Sequence, residues 1–253
     1  MQKTALITGA TAGIGEATAR LFAQNGIHII ITGRREERLL VLKNELERHN
    51  VRILPLCLDV RNEQEVKNAL SNLPDEWKKI DILVNNAGLA AGLSTLQEGD
   101  TDDWNRMIDT NIKGLLYITR YVSPTMAERK SGHIINIGSI AGKEVYPNGN
   151  VYCATKHAVD ALTKGMRIDL LAHNVRVTQI CPGAVETEFS IVRFRGDKSR
   201  ADKVYEGFES LVAQDVAECV WFAVSRPEHV NINDLVVMPT AQAMAAMINR
   251  DSG

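Results

Sequence analysis

Short apolar runs recur along the chain, and longer stretches of mixed polarity separate them. The runs are nearly continuous rather than alternating, which is typical of parallel strands that are covered on both faces. The intervening stretches, about 12 to 30 residues long, suit crossover helices, so the pattern predicts the β-α-β order of an open, doubly wound sheet. The seven runs that we assign to strands are 4–8, 27–32, 51–57, 80–84, 133–137, 175–180 and 235–238.

The chain shows no internal repeat and no Pro/Gly/Ser-rich linker, so we predict one α/β domain over residues 1–253. Its predicted fold is a Rossmann-like, doubly wound parallel sheet of about seven strands, with helices on both faces. One segment, from about residue 183 to residue 212, is rich in charge and only weakly periodic. We interpret it as a lid over a cleft or, alternatively, as a solvated loop.

Composition and charge narrow the class of protein. A hydrophobic fraction of 45% and a charged fraction of 24% exclude a disordered, collagenous or coiled-coil chain. The formal charge of -2 disfavours a nucleic acid or an anionic membrane as the main partner. Strand-like sequence begins at Thr4, and no run reaches the roughly 18 apolar residues that a membrane span needs. We therefore expect a cytoplasmic protein without a membrane partner.

The cysteines and histidines do not follow metal-binding patterns. Cys57, Cys153, Cys181 and Cys219 form no C-x-x-C pair, which excludes a zinc knuckle and a thioredoxin-like motif. We expect these thiols to be reduced and buried. The six histidines are scattered and lack the spacing of metal ligands, so we assign no metal.

A glycine-rich segment follows the first predicted strand, where doubly wound sheets bind their ligands. It reads TGATAGIG, in which Gly9, Gly13 and Gly15 lead into an amphipathic helix. Glycines here allow a tight turn and let backbone N–H groups approach a pyrophosphate at the start of a helix. The alternative interpretation is a strand-to-helix turn without a ligand.

Two arginines, Arg34 and Arg35, follow the second predicted strand. An acidic residue at this place would accept a hydrogen bond from an adenosine ribose 2′-hydroxyl, whereas arginines suit a 2′-phosphate. The pattern therefore favours NADP over NAD as cofactor. The alternative is a solvated helix start, but cations there oppose the helix dipole by ~0.3 to 1 kcal/mol each, so a nearby anion explains them better.

The strongest candidates for chemistry are Tyr152 and Lys156, which are four residues apart and therefore share one face of a predicted helix. Lowering a phenol pKa from about 10 by ~2 to 3 units requires about 3 to 4 kcal/mol of preference for phenolate, which a nearby ammonium group can supply. A packed tyrosine beside a lysine with a buried stem is the alternative. Ser139 after the fifth strand and Asn111 in the sequence NIKG favour the catalytic interpretation.

The sequence resembles the short-chain dehydrogenase/reductase family over essentially the whole chain. The motifs that carry this resemblance are TGxxxGIG, the NNAG sequence at 85–88, Ser139 and the YxxxK pair. The resemblance implies that Tyr152 is the general acid in carbonyl reduction and the base in alcohol oxidation. It also implies that Ser139 binds the substrate oxygen, that Lys156 binds the nicotinamide ribose and lowers the pKa of Tyr152, and that Asn111 holds a water in a proton relay.

The same resemblance extends to the cofactor. It implies that Asp59 contacts the adenine amino group, that the NNAG sequence lines the adenine ribose, and that the PGAVET segment at 182–187 meets the nicotinamide carboxamide. The cofactor-binding positions predicted in total are Gly9, Thr11, Gly13, Ile14, Gly15, Arg34, Arg35, Asp59, Val60, Asn86, Ala87, Gly88, Tyr152, Lys156, Pro182, Gly183, Val185 and Thr187.

Two regions depart from the commonest family pattern, namely the 229–240 tail and the charged 187–197 stretch. Together they resemble the NADP-dependent 3-hydroxy acid dehydrogenases of the serine and allo-threonine type. A small hydroxy acid needs its carboxylate held, and an arginine fork suits this role. Arg193 is the first candidate and Arg195 the second, beside Ser139 and Tyr152 as substrate-binding residues. The alternative is that Arg193 lies on a charged face exposed to water.

We therefore expect reversible NADP-dependent oxidation of the 3-hydroxyl group of a small acid. Two alternatives remain open. A 3-oxoacyl-acyl-carrier-protein reductase would share the catalytic residues but would need a basic docking patch, for which Arg129 and Lys130 are the candidates. A non-catalytic NADP-binding regulator is the other. The resemblance further implies a homotetramer in which helices around 102–129 and 151–173 pair between subunits.

Overall fold

The computed structural model describes residues 2–250, along which strands and helices alternate. The strands are β1 (Thr4–Ile7), β2 (His28–Gly33), β3 (Ile53–Cys57), β4 (Ile82–Asn85), β5 (Gly132–Ile137), β6 (Val175–Pro182), β7 (Val185–Glu186), β8 (Leu211–Val212), β9 (Asp234–Val237), β10 (Gln242–Met244) and β11 (Met247–Ile248). The α-helices are α1 (Gly13–Gln24), α2 (Glu36–Leu46), α3 (Glu63–Ser71), α4 (Thr101–Ile108), α5 (Leu115–Glu128), α6 (Asn150–Asp169), α7 (Glu188–Arg193), α8 (Lys198–Lys203) and α9 (Ala213–Val224).

Within residues 2–250 the main sheet has seven strands in the order β3-β2-β1-β4-β5-β6-β9. Every neighbouring pair in it is parallel. The strand order reverses between β1 and β4, which is where doubly wound sheets bind their ligands. The predicted fold class is confirmed, and the ends of each predicted strand lie within two residues of the observed ones.

The sheet separates two apolar layers because successive residues of a strand point to opposite faces. Ile29 and Ile31 pack on the layer that also contains residues of α1, α2 and α9. Ile30, between them, packs on the other layer with residues of α3 and α5. All three isoleucines are fully buried. Helices on both faces therefore explain why the strands read as continuous apolar runs.

The long helix expected around 102–129 is divided into α4 and α5. A π-helical turn, Asp109–Gly114, lies between them. Such turns insert an extra residue into a helix and commonly occur at functional sites. Three-residue 3-10 helices also occur at Glu47–His49, Asp75–Trp77, Leu96–Glu98, Ile140–Gly142 and Leu171–His173.

The 183–212 segment contains regular structure. It holds β7, α7, α8 and β8, and β7 pairs with β8 in parallel. The hairpin of β10 and β11 follows the main sheet. The sequence did not indicate these short strands, because two or three residues are too few to establish a periodicity.

The expectation that all four thiols are buried is wrong for Cys57, which is exposed, and Cys219 is only half-buried. Cys57 is the last residue of β3, and β3 is at the edge of the sheet, so one side of this strand has no neighbouring strand to cover it. Cys153 and Cys181 are buried as expected. None of the helices within residues 2–250 combines the length and the apolar character that crossing a membrane demands.

Candidate active site

A cavity of about 620 Å³ lies at the carboxyl ends of the parallel strands. It brings together most of the predicted site residues, which follow different strands in the sequence. The predicted residues that line it are Gly9, Thr11, Gly13, Ile14, Arg34, Arg35, Asp59, Val60, Asn86, Ala87, Gly88, Ser139, Tyr152, Lys156, Pro182, Gly183, Val185, Thr187 and Arg193. Gly15 and Asn111 lie behind this lining.

The glycine-rich loop between β1 and α1 forms a cradle that larger residues would fill. Gly9 has a φ of +67°, and a Cβ atom on it would lie 3.0 Å from the Cα of Ala87. A Cβ atom on Gly15 would lie 2.5 Å from the carbonyl oxygen of Gly9. Ala12 precedes α1 and provides no side-chain cap, so the first N–H groups of this helix remain available to an anion.

Two buried hydroxyl oxygens on the cavity wall, Thr32 Oγ1 and Thr110 Oγ1, have no hydrogen-bond partner within the part of the chain that the structure describes. Buried polar groups are normally paired, so these two oxygens leave hydrogen-bonding capacity unused beside the cavity. Together with the glycine cradle, they fit the dinucleotide that the sequence predicts.

Asn86 braces the glycine loop from the neighbouring strand. Its Nδ2 donates hydrogen bonds to the carbonyl oxygens of Thr8, at 2.8 Å, and Gly9, at 3.1 Å. Its backbone N–H donates to Thr8 Oγ1 at 3.0 Å. The NNAG segment therefore fixes the relative position of the carboxyl ends of β1 and β4.

The arginines after β2 are engaged with other side chains. Arg35 donates to Thr11 Oγ1 through Nε at 3.2 Å and Nη2 at 3.0 Å, and to Glu188 Oε2 through Nη1 at 2.9 Å. Arg38 donates to Glu188 Oε1 at 2.7 Å. Sequence reasoning missed Arg38 and Glu188. A signal for Arg38 was its spacing of three residues from Arg35, at the start of the predicted helix.

Asp59 lies on the cavity wall and is paired with Arg61. The two side chains form bonds of 2.5 to 3.0 Å, and Arg34 lies 3.9 Å from the Asp59 carboxylate. Burial raises the pKa of Asp59, but the hydrogen bonds and charge of Arg61 outweigh it and hold this pKa below its usual value. Asp59 is therefore ionised and able to accept a hydrogen bond.

Tyr152, near the start of α6, is buried and makes an edge-to-face contact with Phe189, with 5.7 Å between the ring centroids. Burial raises its pKa, and neighbouring Tyr146 adds to this. Contact with the Ser139 hydroxyl and the charge of Arg193 lower the pKa by less. The phenol is therefore protonated at neutral pH.

The expected lowering of the Tyr152 pKa by Lys156 is not observed. Lys156 Nζ donates to the carbonyl oxygen of Ile137 at 3.0 Å and lies 5.9 Å from the centroid of the Tyr152 ring. Burial also lowers the pKa of Lys156 itself to about 8. Burial is the main cause of both pKa shifts.

Asn111 lies in the π-helical turn between α4 and α5 and is buried. Its Oδ1 accepts from the N–H of Leu89, and its Nδ2 donates to the carbonyl oxygen of Leu89, both at 2.8 Å. Nδ2 also donates to Thr155 Oγ1 at 3.0 Å. Thr155 lies beside Lys156 on α6, so Asn111 connects the cavity wall to the helix that carries the predicted acid.

The two substrate arginines differ in position. Arg193 is half-buried on the cavity wall, with its guanidinium carbon 5.5 Å from the ring centroid of Tyr146 and 5.8 Å from that of Tyr152. Its Nε donates to the carbonyl oxygen of Gly92 at 3.1 Å. Arg195 is exposed and pairs with Asp100, at 2.5 Å, and Asp103, at 3.0 Å. Arg195 therefore forms its ion pairs outside the cavity and does not line it.

The end of the described chain also contributes to the cavity, which sequence reasoning missed. Gln242 Oε1 accepts from the N–H of Ala184 at 2.8 Å, beside the predicted nicotinamide segment. Arg250 donates to the carbonyl oxygens of Val204, at 2.9 Å, and Glu206. No sequence signal separates these residues from an ordinary polar tail. Further lining residues from this region are Ala245 and Ile248.

Residues 2–250 contain no group of three or more His, Cys, Asp or Glu side chains arranged to hold a metal ion.

Comparison with known proteins gives concordant results. A family model described as short chain dehydrogenase matches residues 3–197. The NADP-dependent 3-hydroxy acid dehydrogenase YdfG of Escherichia coli (strain K12) is 52% identical over 243 residues, covering 96% of this chain and 97% of that protein. Sulfoacetaldehyde reductase 2 of Chromohalobacter salexigens is 47% identical over 253 residues, covering 99% of this chain and 100% of that protein.

Among solved structures, the closed form of serine dehydrogenase complexed with NADP+ superimposes with a TM-score of 0.93. It is 50% identical, and the match covers 98% of this chain and 100% of that one. An alcohol dehydrogenase from Thermococcus sibiricus, complexed with 5-hydroxy-NADP, gives a TM-score of 0.85 at 27% identity, with 96% and 99% of the two chains covered.

Proposed function

Because this chain belongs to the short-chain dehydrogenase/reductase family, we propose that it transfers a hydride reversibly between NADP and the 3-hydroxyl or 3-oxo carbon of a small hydroxy acid. The chain is an NADP-dependent oxidoreductase, in agreement with relatives of that description at about half identity over nearly its full length. The substrate class and the residue roles below are our proposal.

One observation supports the proposed function above all: the same cavity that holds Ser139, Tyr152 and Lys156 also holds the guanidinium group of Arg193. A half-buried guanidinium beside two aromatic rings is suited to a carboxylate, because it can donate two parallel hydrogen bonds. Its place near Tyr152 suits an acid whose reacting carbon is only a few bonds from its anionic group.

The cofactor supplies or accepts the hydride. In the reductive direction, the protonated phenol of Tyr152 donates its proton to the carbonyl oxygen, which the Ser139 hydroxyl also contacts. Burial suits Tyr152 to this direction, because it raises the pKa and keeps the proton on the phenol at neutral pH. Lys156 is oriented by the carbonyl oxygen of Ile137 and presents its ammonium group to the predicted nicotinamide ribose site.

The other proposed contacts follow the cavity wall. Arg34 and Arg35 would bind the 2′-phosphate, Asp59 the adenine amino group, and Asn111 would hold a water for proton transfer. The remaining proposed cofactor contacts are Gly9, Thr11, Gly13, Ile14, Gly15, Val60, Asn86, Ala87, Gly88, Pro182, Gly183, Val185 and Thr187.

The test is turnover with a panel of substrates. We expect NADP+ reduction with L-allo-threonine, serine or 3-hydroxypropionate, and much weaker reduction of NAD+ with the same acids. Activity confined to long-chain or acyl-carrier substrates would contradict the proposed substrate class. Activity with NAD+ equal to that with NADP+ would contradict the role of the arginines.

The structure offers no support for the acyl-carrier reductase alternative. Arg129 Nη2 donates to the carbonyl oxygen of Ile80 at 2.7 Å, just before β4 begins. It therefore lies at the amino ends of the strands, opposite the cavity. A carrier docked at Arg129 and Lys130 would face the wrong end of the sheet.

We also propose a homotetramer, in which α5 and α6 pair between subunits. Large apolar side chains are exposed on and just after these helices, including Leu116, Ile168 and Leu171, of which the last two are each 75% exposed. Such exposed apolar side chains are typical of protein interfaces. Sedimentation should give about four times the chain mass of 27.9 kDa. A stable monomer would contradict the proposal.

A further inference from the structure

Glu188, the first residue of α7, bridges Arg35, which directly precedes α2, and Arg38 in the first turn of α2. Its Oε2 accepts from Arg35 at 2.9 Å, and its Oε1 accepts from Arg38 at 2.7 Å. Each carboxylate oxygen thus has its own guanidinium partner. These bonds connect the 183–212 segment to the start of the helix that follows β2, and Arg35 and Glu188 both line the cavity.

The start of α7 also lies against the glycine loop. Thr187 caps α7 by accepting from the N–H of Phe189 at 3.3 Å, and a Cβ atom on Gly13 would lie 3.3 Å from Thr187. Arg35 meanwhile holds Thr11 of the same loop. The position of α7 is therefore set where the phosphates of a dinucleotide would enter.

Near the start of α7, the guanidinium groups outnumber the carboxylates that are available to pair with them. Of the carboxylates on the described cavity wall, Asp59 is committed to Arg61, and Glu188 is shared between Arg35 and Arg38. One negative charge thus faces two guanidinium groups. A phosphate monoester brings about -1.5 to -2 charges and three acceptor oxygens, so it satisfies two guanidinium groups better than one carboxylate does.

We propose that Glu188 is a specificity-determining residue that competes with the 2′-phosphate of the cofactor for Arg35 and Arg38. Arrival of the phosphate takes both guanidinium groups and releases the start of α7, whereas a nucleotide without this phosphate leaves the bridge closed. Arg38 is then a further phosphate ligand beside Arg34 and Arg35. This inference rests on the proposed use of NADP.

The Glu188 bridge is exposed enough to be exchanged. The side chains of Glu188, Arg35 and Arg38 are 41%, 44% and 48% exposed. Ion pairs of this kind are weak individually, so a ligand of higher charge can replace the carboxylate without disrupting the core. Both arginines hold the pKa of Glu188 below its usual value, by hydrogen bonds that outweigh burial.

The first test compares 2′,5′-ADP with AMP, which differ only in the 2′-phosphate, by titration calorimetry at fixed ionic strength. In Glu188→Gln we expect the Kd of 2′,5′-ADP to fall about three- to tenfold and the Kd of AMP to stay within about twofold. Glu186→Gln is the matched control, since it removes the same charge two residues away, where the carboxylate contacts Ser210. An unchanged or weaker affinity of Glu188→Gln for 2′,5′-ADP would overturn the inference, as would an equal gain for AMP.

A second test follows the release of α7 by hydrogen exchange of the amides in residues 188–193. In the wild-type protein we expect 2′,5′-ADP to speed this exchange relative to AMP, and in Glu188→Gln we expect fast exchange with either nucleotide. Slower exchange with 2′,5′-ADP than with AMP, or no difference between them, would show that the phosphate does not release the helix.

Arg38→Gln provides the complementary variant. We expect about a tenfold weaker affinity for 2′,5′-ADP and an unchanged affinity for AMP. If the wild-type protein binds 2′,5′-ADP no better than AMP, the proposed function fails together with this inference. If the wild type prefers 2′,5′-ADP but Glu188→Gln behaves as the wild type does, only the competition is overturned.

Discussion

Tyr152 and Lys156 show at the scale of single residues how burial can outweigh a neighbouring charge. The spacing of the pair predicts their common helix face, and both line the cavity. The sequence could not predict the sign of the Tyr152 pKa shift, because that sign depends on the packing of Phe189 and Tyr146 around the phenol. These residues come from other elements of the fold.

For Tyr152→Phe we expect turnover to fall about 10²- to 10⁴-fold in both directions, because the variant lacks the proton that a general acid transfers. The Kd of NADPH should change little, which fluorescence titration would measure. A variant that retains most of its turnover would remove Tyr152 from the acid-base role.

Arg193→Gln should raise the KM for the hydroxy acid and lower kcat/KM about 10- to 100-fold, because it removes a charge-assisted bond to the carboxylate. Arg200→Gln is the control, since that exposed arginine stacks on Phe194 at 4.5 Å but does not line the cavity. Steady-state kinetics with one acid at several concentrations would check both variants. An unchanged KM in Arg193→Gln would exclude the carboxylate contact.

At the scale of elements, the main strands were predictable because each is a buried run long enough to stand out from its surroundings. The π-helical turn Asp109–Gly114 was not, since the NIKG sequence is compatible with a regular helix. Within this turn Asn111 is bound to Leu89 and Thr155, which are distant in sequence. The contributions of Gln242 and Arg250 to the cavity were missed because their partners, Ala184 and Val204, are also distant in sequence.

A buried polar ladder attaches α6 to the sheet. Asn85 Nδ2 donates to Asn136 Oδ1 at 2.9 Å, and Asn136 Nδ2 donates to Thr163 Oγ1, also at 2.9 Å. All three residues are buried. The ladder fixes the distance between the sheet and the helix that carries Tyr152.

Thr163→Val keeps the shape of the side chain but removes the acceptor for Asn136 Nδ2. We expect the free energy of unfolding to fall by about 1 to 3 kcal/mol, since the buried Asn136 Nδ2 keeps only the weak acceptor Met166 Sδ, at 3.6 Å. Urea denaturation would measure it. Thr125→Val should cost less, because the Thr125 hydroxyl is only partly buried and bonds within its own helix, to Val122. Equal losses in both variants would mean that the ladder adds nothing.

At the scale of the whole molecule, we expect stability in mild acid to depend in part on His133, a buried histidine of the main sheet. His133 on β5 is buried, and its Nε2 lies 2.8 Å from Thr178 Oγ1. Burial, with smaller contributions from the charges of Arg176 and Lys3, lowers its pKa to about 3. Between pH 6.5 and about pH 3, therefore, the folded protein holds this imidazole neutral while the unfolded chain protonates it.

The sign follows from proton binding. Between pH 6.5 and about pH 3 the unfolded state binds the proton and the folded state does not, so stability falls as pH falls through this window. His133 should contribute a slope of about 1.4 kcal/mol per pH unit well below pH 6.5. Urea denaturation at pH 7.5, 6.0 and 5.0 should show a shallower decline for His133→Gln. The same decline in both proteins would assign the effect to other groups.

Both ends of α7 are attached to the body of the protein through ion pairs of exposed arginines. Arg35 and Arg38 pair with Glu188 at one end, and Arg195 pairs with the half-exposed Asp100 and the buried Asp103 just beyond the other. Salt weakens these ion pairs, since the electrostatic screening length falls from about 8 Å at 0.15 M to about 3 Å at 1 M ionic strength. The apolar layers on either side of the sheet have no such sensitivity. Access to the cleft would then vary with the salinity of the medium while the scaffold beneath stays unchanged.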